Sequence, residues 1–105
     1  MPTIETARAY LGIDYVDEVT DANIQRALRT AEKTVLGAVG SDVATYLPED
    51  PRVEELTLIY MEDLYSQRGV APKVSAAIRH SMQTMELQLQ QELASAKAKA
   101  EGASA

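Results

Sequence analysis

His80 is the single histidine of a 105-residue chain that has no cysteine, so the side chains most often used for nucleophilic catalysis and metal binding are nearly absent. A Ser-His-acid relay drawn through His80 has no supporting spacing and no nucleophile motif. His80 reads as a solvent-facing residue of a helix. The five glycines are isolated singles, so no Gly-rich phosphate loop is present. The acidic cluster Asp14, Asp17, Glu18 and Asp21 invites a calcium reading, but it lacks the ligand alternation and central glycine of an EF-hand loop. It reads instead as a solvated loop. Glu54-Glu55 and Glu62-Asp63 are neighbours on a helical segment, where adjacent side chains point apart, so neither pair should face one substrate as acid and base. No catalytic, cofactor-binding or metal-binding residue is expected, and no enzyme activity.

The remaining chemistry is that of surfaces. Met82 and Met85, with Leu89 and Leu93, form a stripe of adaptable side chains that serves either as an intramolecular core face or as a docking strip for a partner. The net charge of −6 reflects 16 acidic against 10 basic residues, and the basic ones are scattered. Phosphate-backbone binding needs a basic footprint, so a DNA-binding module is disfavoured.

Composition bounds the scaffold that positions these residues. Apolar residues make up 46% of the chain and aromatic residues 5%, all of them Tyr, so the core is aliphatic and Ala-rich, which favours helices over sheet. A chain of this length buries roughly 60–70% of its unfolded surface, enough for one modest core. No run approaches the ~20 apolar residues of a membrane span, and Met1-Pro2-Thr3-Ile4-Glu5 lacks the regions of a signal peptide, so a soluble intracellular protein is expected. Without disulfides, stability must come from packing or oligomerisation.

The expected fold is all-α, a small bundle of about four helices with a long C-terminal helix. The first helix runs from a Thr3 cap through Ile4, Ala7 and Leu11 to Gly12. After an acidic loop over 14–20, Thr20 or Asp21 caps a second helix with Ile24, Ala27, Leu28, Ala31, Val35, Ala38 and Val39 on one face, stopped by Gly40. Arg26, Arg29 and Lys33, with Glu32 among them, lie away from that face as a solvated or subunit-facing surface. Residues 41–50 read as a connecting loop with apolar anchors, ended by Asp50-Pro51, a strong helix start. The third helix, from Pro51 to about Arg68, carries two stripes: Val53, Leu56, Tyr60 and Leu64, and beside them Leu58, Met61 and Tyr65. Such an arc marks either the central helix or one that also faces a neighbouring subunit. Pro72 opens the fourth helix, with Val74, Ile78, Met82, Met85, Leu89 and Leu93 in its stripe. About half of it exceeds what the other helices cover, given a rise of ~1.5 Å per residue. Residues 1–93 form the expected domain. The Ala/Lys-rich tail over 94–105 is expected to be frayed or disordered alone.

Several of these segments together resemble the head-tail connector, or adaptor, proteins of tailed bacteriophages. The similarity begins with Thr3-Ile4-Glu5-Thr6-Ala7-Arg8-Ala9-Tyr10-Leu11-Gly12-Ile13-Asp14 and Asp21-Ala22-Asn23-Ile24 with Leu28 and Ala31. It continues through Asp63-Leu64-Tyr65-Ser66-Gln67-Arg68-Gly69, Val74-Ser75-Ala76-Ala77-Ile78, and Gln88-Leu89 with Glu92-Leu93, spanning about residues 3–93.

The resemblance implies a non-enzymatic subunit of a ring, typically dodecameric, beneath the portal protein at the head-tail interface of the virion. Such a ring joins the capsid to tail-completion or stopper proteins while double-stranded DNA passes through without sequence-specific binding. It makes Ile78, Met82, Met85, Leu89 and Leu93 partner-binding candidates. Leu58, Met61 and Tyr65 are then oligomer-interface candidates, and Asp14, Asp17, Glu18, Glu49 and Asp50 channel-facing ones. Acidic residues suit a channel that must not grip phosphates. The competing expectation is an acidic helical regulatory module that docks its C-terminal helix on a partner protein.

Overall fold

Thr3 opens the first helix by accepting the Thr6 N–H on its hydroxyl at 3.2 Å, which satisfies a donor that the first turn leaves unpaired. This helix, α1 (Ile4–Leu11), ends at Gly12 in the left-handed conformation (φ 76°). There the Gly12 and Ile13 N–H groups bond back to the Ala9 and Arg8 carbonyls, so glycine is suited to the stop. The computed structural model describes residues 2–66 and 76–104. Its remaining elements are α2 (Glu18–Val39), the single turn α3 (Val43–Tyr46), α4 (Pro51–Ser66) and α5 (Ala76–Ser104). Among the described residues there is no strand, and the architecture is the expected all-α bundle with a long C-terminal helix.

Two boundaries differ from expectation. Asp17, rather than Thr20 or Asp21, caps α2: its carboxylate accepts the Thr20 N–H at 2.9 Å and the Thr20 hydroxyl at 2.8 Å. The carboxylate outcompetes the hydroxyl as acceptor at the positive end of the helix dipole, and Thr20 becomes its donor. The segment over 41–50 also contains α3, a turn closed by the Leu47 N–H on the Val43 carbonyl at 2.7 Å. Asp50 does start α4 as expected, accepting the Arg52 N–H at 2.9 Å beside Pro51.

The core has two parts along the antiparallel α2 and α4. At one end Ala7, Ile24, Ala27, Leu28, Ala31, Leu58 and Met61 pack together, with the small residues of α2 letting the helices approach closely. At the other end Val35, Val39, Val43, Leu56, Met82, Leu89 and Leu93 join α2, α3, α4 and α5. The double stripe of α4 is thereby explained: α4 is the central helix, covered by α2 along its length and by α1 and α5 at its flanks. Thr57, the one fully buried polar residue among the described core residues, donates its hydroxyl to the Val53 carbonyl at 2.8 Å.

Helix α5 docks by a sparse stripe. Met82, Leu89 and Leu93 are buried and Met85 half-buried, flanked by polar contacts from Tyr60 to Glu86 at 2.6 Å, Gln90 to the Ala38 carbonyl, and Lys97 to Asp42 at 2.6 Å. The helix runs unbroken through 94–104. Lys97 anchors it, a contact that an apolar pattern does not reveal. The molecule is elongated, 52 × 29 × 18 Å, with a radius of gyration of 15.5 Å against ~13 Å for a round domain of this size.

Candidate interaction surfaces

A groove of about 330 Å³ lies where α1, α4 and α5 meet. Its apolar floor is Ile59 of α4 with Ile78 and Met85 of α5, and Tyr10, at the end of α1, closes one side. Glu55, Glu62 and Asp63 of α4 border it, since positions seven and eight apart return to the same side of a helix. Burial raises the Tyr10 phenol above its ordinary value, and Glu62 and Glu55 add to this by opposing a second negative charge. An apolar floor with a carboxylate rim is chemically complementary to apolar side chains flanked by cations. Glu54 and Glu55 part as expected, Glu54 facing a separate hollow with Val43, Leu47 and Asp50. Glu62 and Asp63, expected to point apart, both border the groove.

The opposite side of the bundle carries basic residues with one acidic residue among them. Arg29 and Lys33 are exposed on α2, with Glu32 beside them, on the side turned away from Ile24, Leu28, Ala31 and Val35, which face α4. Arg26 is exposed at the edge of a hollow it shares with Leu64 and Tyr65 of α4. Arg8 is not part of this stripe. It makes a two-point ion pair with Asp21, Nε to Oδ1 at 3.0 Å and Nη2 to Oδ2 at 3.3 Å, tying α1 to the first turn of α2.

The partner-binding candidates divide. Ile78 is 44% exposed and Met85 half-buried, both in the groove. Met82, Leu89 and Leu93 are core residues of the chain itself, a correction: the stripe's period fits an internal face as well as an external one, and here α5 lies against its own bundle. Leu58 and Met61 are likewise buried between α2 and α4, so the expected oligomer interface is not on their surface. Tyr65 is half-buried at the edge of a hollow beside Asn23, Arg26 and Thr30.

The channel candidates also divide. Asp14, Glu18 and Glu49 are exposed. Asp17 and Asp50 are not free loop carboxylates but helix-start acceptors. Asp50 is half-buried and takes the Arg52 guanidinium at 2.7 Å. The Thr20 donors hold the Asp17 carboxyl, and Arg52 the Asp50 carboxyl, below the usual range. Asp14, Asp17 and Glu18 sit at one end of α2 and Glu49 and Asp50 near the other, separated by 22 residues of helix, or ~33 Å. They do not form one patch.

His80 is exposed, and among the described residues no group of three His, Cys, Asp or Glu side chains is placed to hold a metal ion. No described helix is long and apolar enough to cross a membrane. The groove itself was not anticipated. Its signal was Ile59 and Tyr10, large apolar residues that fall off the main stripes of their helices. No family model, curated protein or solved structure matches the chain.

Proposed function

We propose that this chain is a non-catalytic structural subunit of a phage head-tail connector, assembled as a ring, dodecameric in the virion, that links the portal to tail-completion proteins around the DNA channel. The observation that carries this reading is α5. It has 29 residues, about 43 Å of helix at ~1.5 Å per residue, yet commits only one sparse stripe to its own bundle. Ile78 and Leu87 remain 44% and 57% exposed. A long helix that its own core underuses suits a subunit whose remaining contacts come from neighbours. The order of the connector-like segments over residues 3–93 supports the same reading, as does a net charge of −6 that discourages trapping of DNA phosphates.

Electron microscopy and sedimentation of the concentrated protein, alone and with a portal protein, test the proposal. Closed rings, alone or on the portal, are expected. A strictly monomeric protein indifferent to the portal overturns the reading. A one-to-one complex with a soluble enzyme would favour the regulatory module instead.

A further inference from the structure

We propose that copies of the chain join head to tail, the exposed Arg29 and Lys33 stripe of α2 in one copy seating in the groove bordered by Glu55 and Glu62 in the next. The stripe and the groove are the two surfaces of the bundle whose chemistry matches. The groove has an apolar floor of Ile59, Ile78 and Met85 and a carboxylate rim. Arg and Lys supply both an aliphatic stem for such a floor and a cation for such a rim.

The charges on both sides lack an oppositely charged partner in an ion pair among the described residues. Ion pairs engage Arg8, Arg52 and Lys97, whereas Arg29, Lys33, Glu55 and Glu62 take part in none, Glu62 being hydrogen-bonded to the neutral Tyr10 phenol. A second copy is the occupant the geometry favours because one chain carries both complementary surfaces, and they lie on opposite sides of the bundle. Arg29 and Lys33 are on the side of α2 turned from α4, and Glu55 and Ile59 on the side of α4 turned from α2. Unlike patches on opposite sides cannot pair by a two-fold axis. They make a heterologous contact that repeats and closes into a ring when the rotation per subunit allows it. A nucleic acid would satisfy the stripe but be repelled by the groove. This inference deepens the ring reading and rests on it.

Charge exchange tests it. One variant carries Arg29→Glu with Lys33→Glu, the other Glu55→Lys with Glu62→Lys, and circular dichroism checks that each keeps the helicity of the parent. Each variant alone should self-associate about tenfold or more weakly by sedimentation, because like charges then face each other. An equimolar mixture should recover association, since every stripe again meets a groove of opposite sign. Association of the parent should weaken with added salt. Parent-like rings from both variants would overturn this inference while leaving the ring reading intact. Equal loss in both variants without recovery on mixing would also overturn it. A parent that never self-associates, with or without portal, removes the ring reading and this contact together.

Discussion

Arg52 of α4 and Glu92 of α5 stand 40 residues apart in sequence and face each other through two hydrogen bonds, Nη2 to Oε1 at 2.8 Å and Nη1 to Oε2. The same guanidinium holds Asp50 through Nε and Nη2 at 3.0 and 2.7 Å. One planar fork thus fastens the start of α4 and the second half of α5 together.

Arg52→Ala should lower the thermal midpoint by a few degrees, as for a partly exposed ion-pair network, with a smaller difference at high salt. Arg52→Lys should recover only part of the loss, because an ammonium cannot serve both carboxylates in fork geometry. Thermal melts followed by circular dichroism check this. Equal stability of the alanine variant and the parent would count against the clamp.

Leu89 and Leu87 separate the two sides of α5. Leu89 is 0% exposed and Leu87 57%. Leu89→Ala should cost about 2–5 kcal/mol, the usual range for a buried leucine. Leu87→Ala should stay within about 0.5 kcal/mol of the parent. Denaturant titrations of the two variants decide the matter, and the reverse order would mean that α5 docks by its other face.

Gly40 sits at the end of α2 with φ 141°, and a Cβ there would lie 2.6 Å from Cδ2 of Leu93. Gly40→Ala therefore meets both a disfavoured backbone and an occupied space, and should cost more than Gly12→Ala. At Gly12 φ is also positive, but nothing lies within 4 Å. The expected cost is about 1 kcal/mol at Gly12 and clearly more at Gly40. Leu93→Ala should reduce the extra cost at Gly40, which a double-mutant cycle measures.

Acid and alkali should each destabilise the fold, for opposite reasons. Asp42, Asp50 and Glu92 are held below their ordinary carboxyl values by Lys97, Arg52 and Arg52 respectively. The unfolded chain takes up these protons more readily. This stability is present above the unfolded values near 4 and is lost as pH falls through the lower folded ones. The Tyr60 phenol is pushed up to about 12 by burial and by its hydrogen bond to Glu86. Its contribution is complete below the ordinary value of 10.0 and is lost as pH rises toward 12. Thermal melts across pH should show both flanks, and Tyr60→Phe should flatten the alkaline one. Ultraviolet titration should show one phenol ionising near 12 in the parent.

Much of the fold was legible because its signals are local. Thr3, Gly12, Gly40 and Asp50-Pro51 announce helix ends through backbone chemistry that needs no distant partner. The α2 stripe from Ile24 to Val39 announces a buried face by its period. The start of α2 was misplaced because Asp17 and Thr20 are both capping residues, and only geometry shows which accepts and which donates. The turn α3 was hidden by its length and by nearby Pro48. The roles of Met82, Leu89 and Leu93 were open for a different reason. Periodicity states that a face is covered but not by what, and the covering residues Val35, Val39 and Leu56 lie far off in the chain. The groove depends on Tyr10, Glu55 and Ile78, brought together from three helices, and no spacing within one helix encodes such a meeting.

The stripe of α5 has one more consequence. Ile78, Met82, Met85, Leu89 and Leu93 follow one another at steps of four or three, so a slide of α5 by one turn, ~5.4 Å along its axis, would refill four of the five apolar seats with a neighbour from the same stripe. The hydrophobic contacts in the middle of the stripe thus do little to distinguish one register from the next. Register is set by groups with no equivalent a turn away: Glu86 against Tyr60, Glu92 against Arg52 and Lys97 against Asp42.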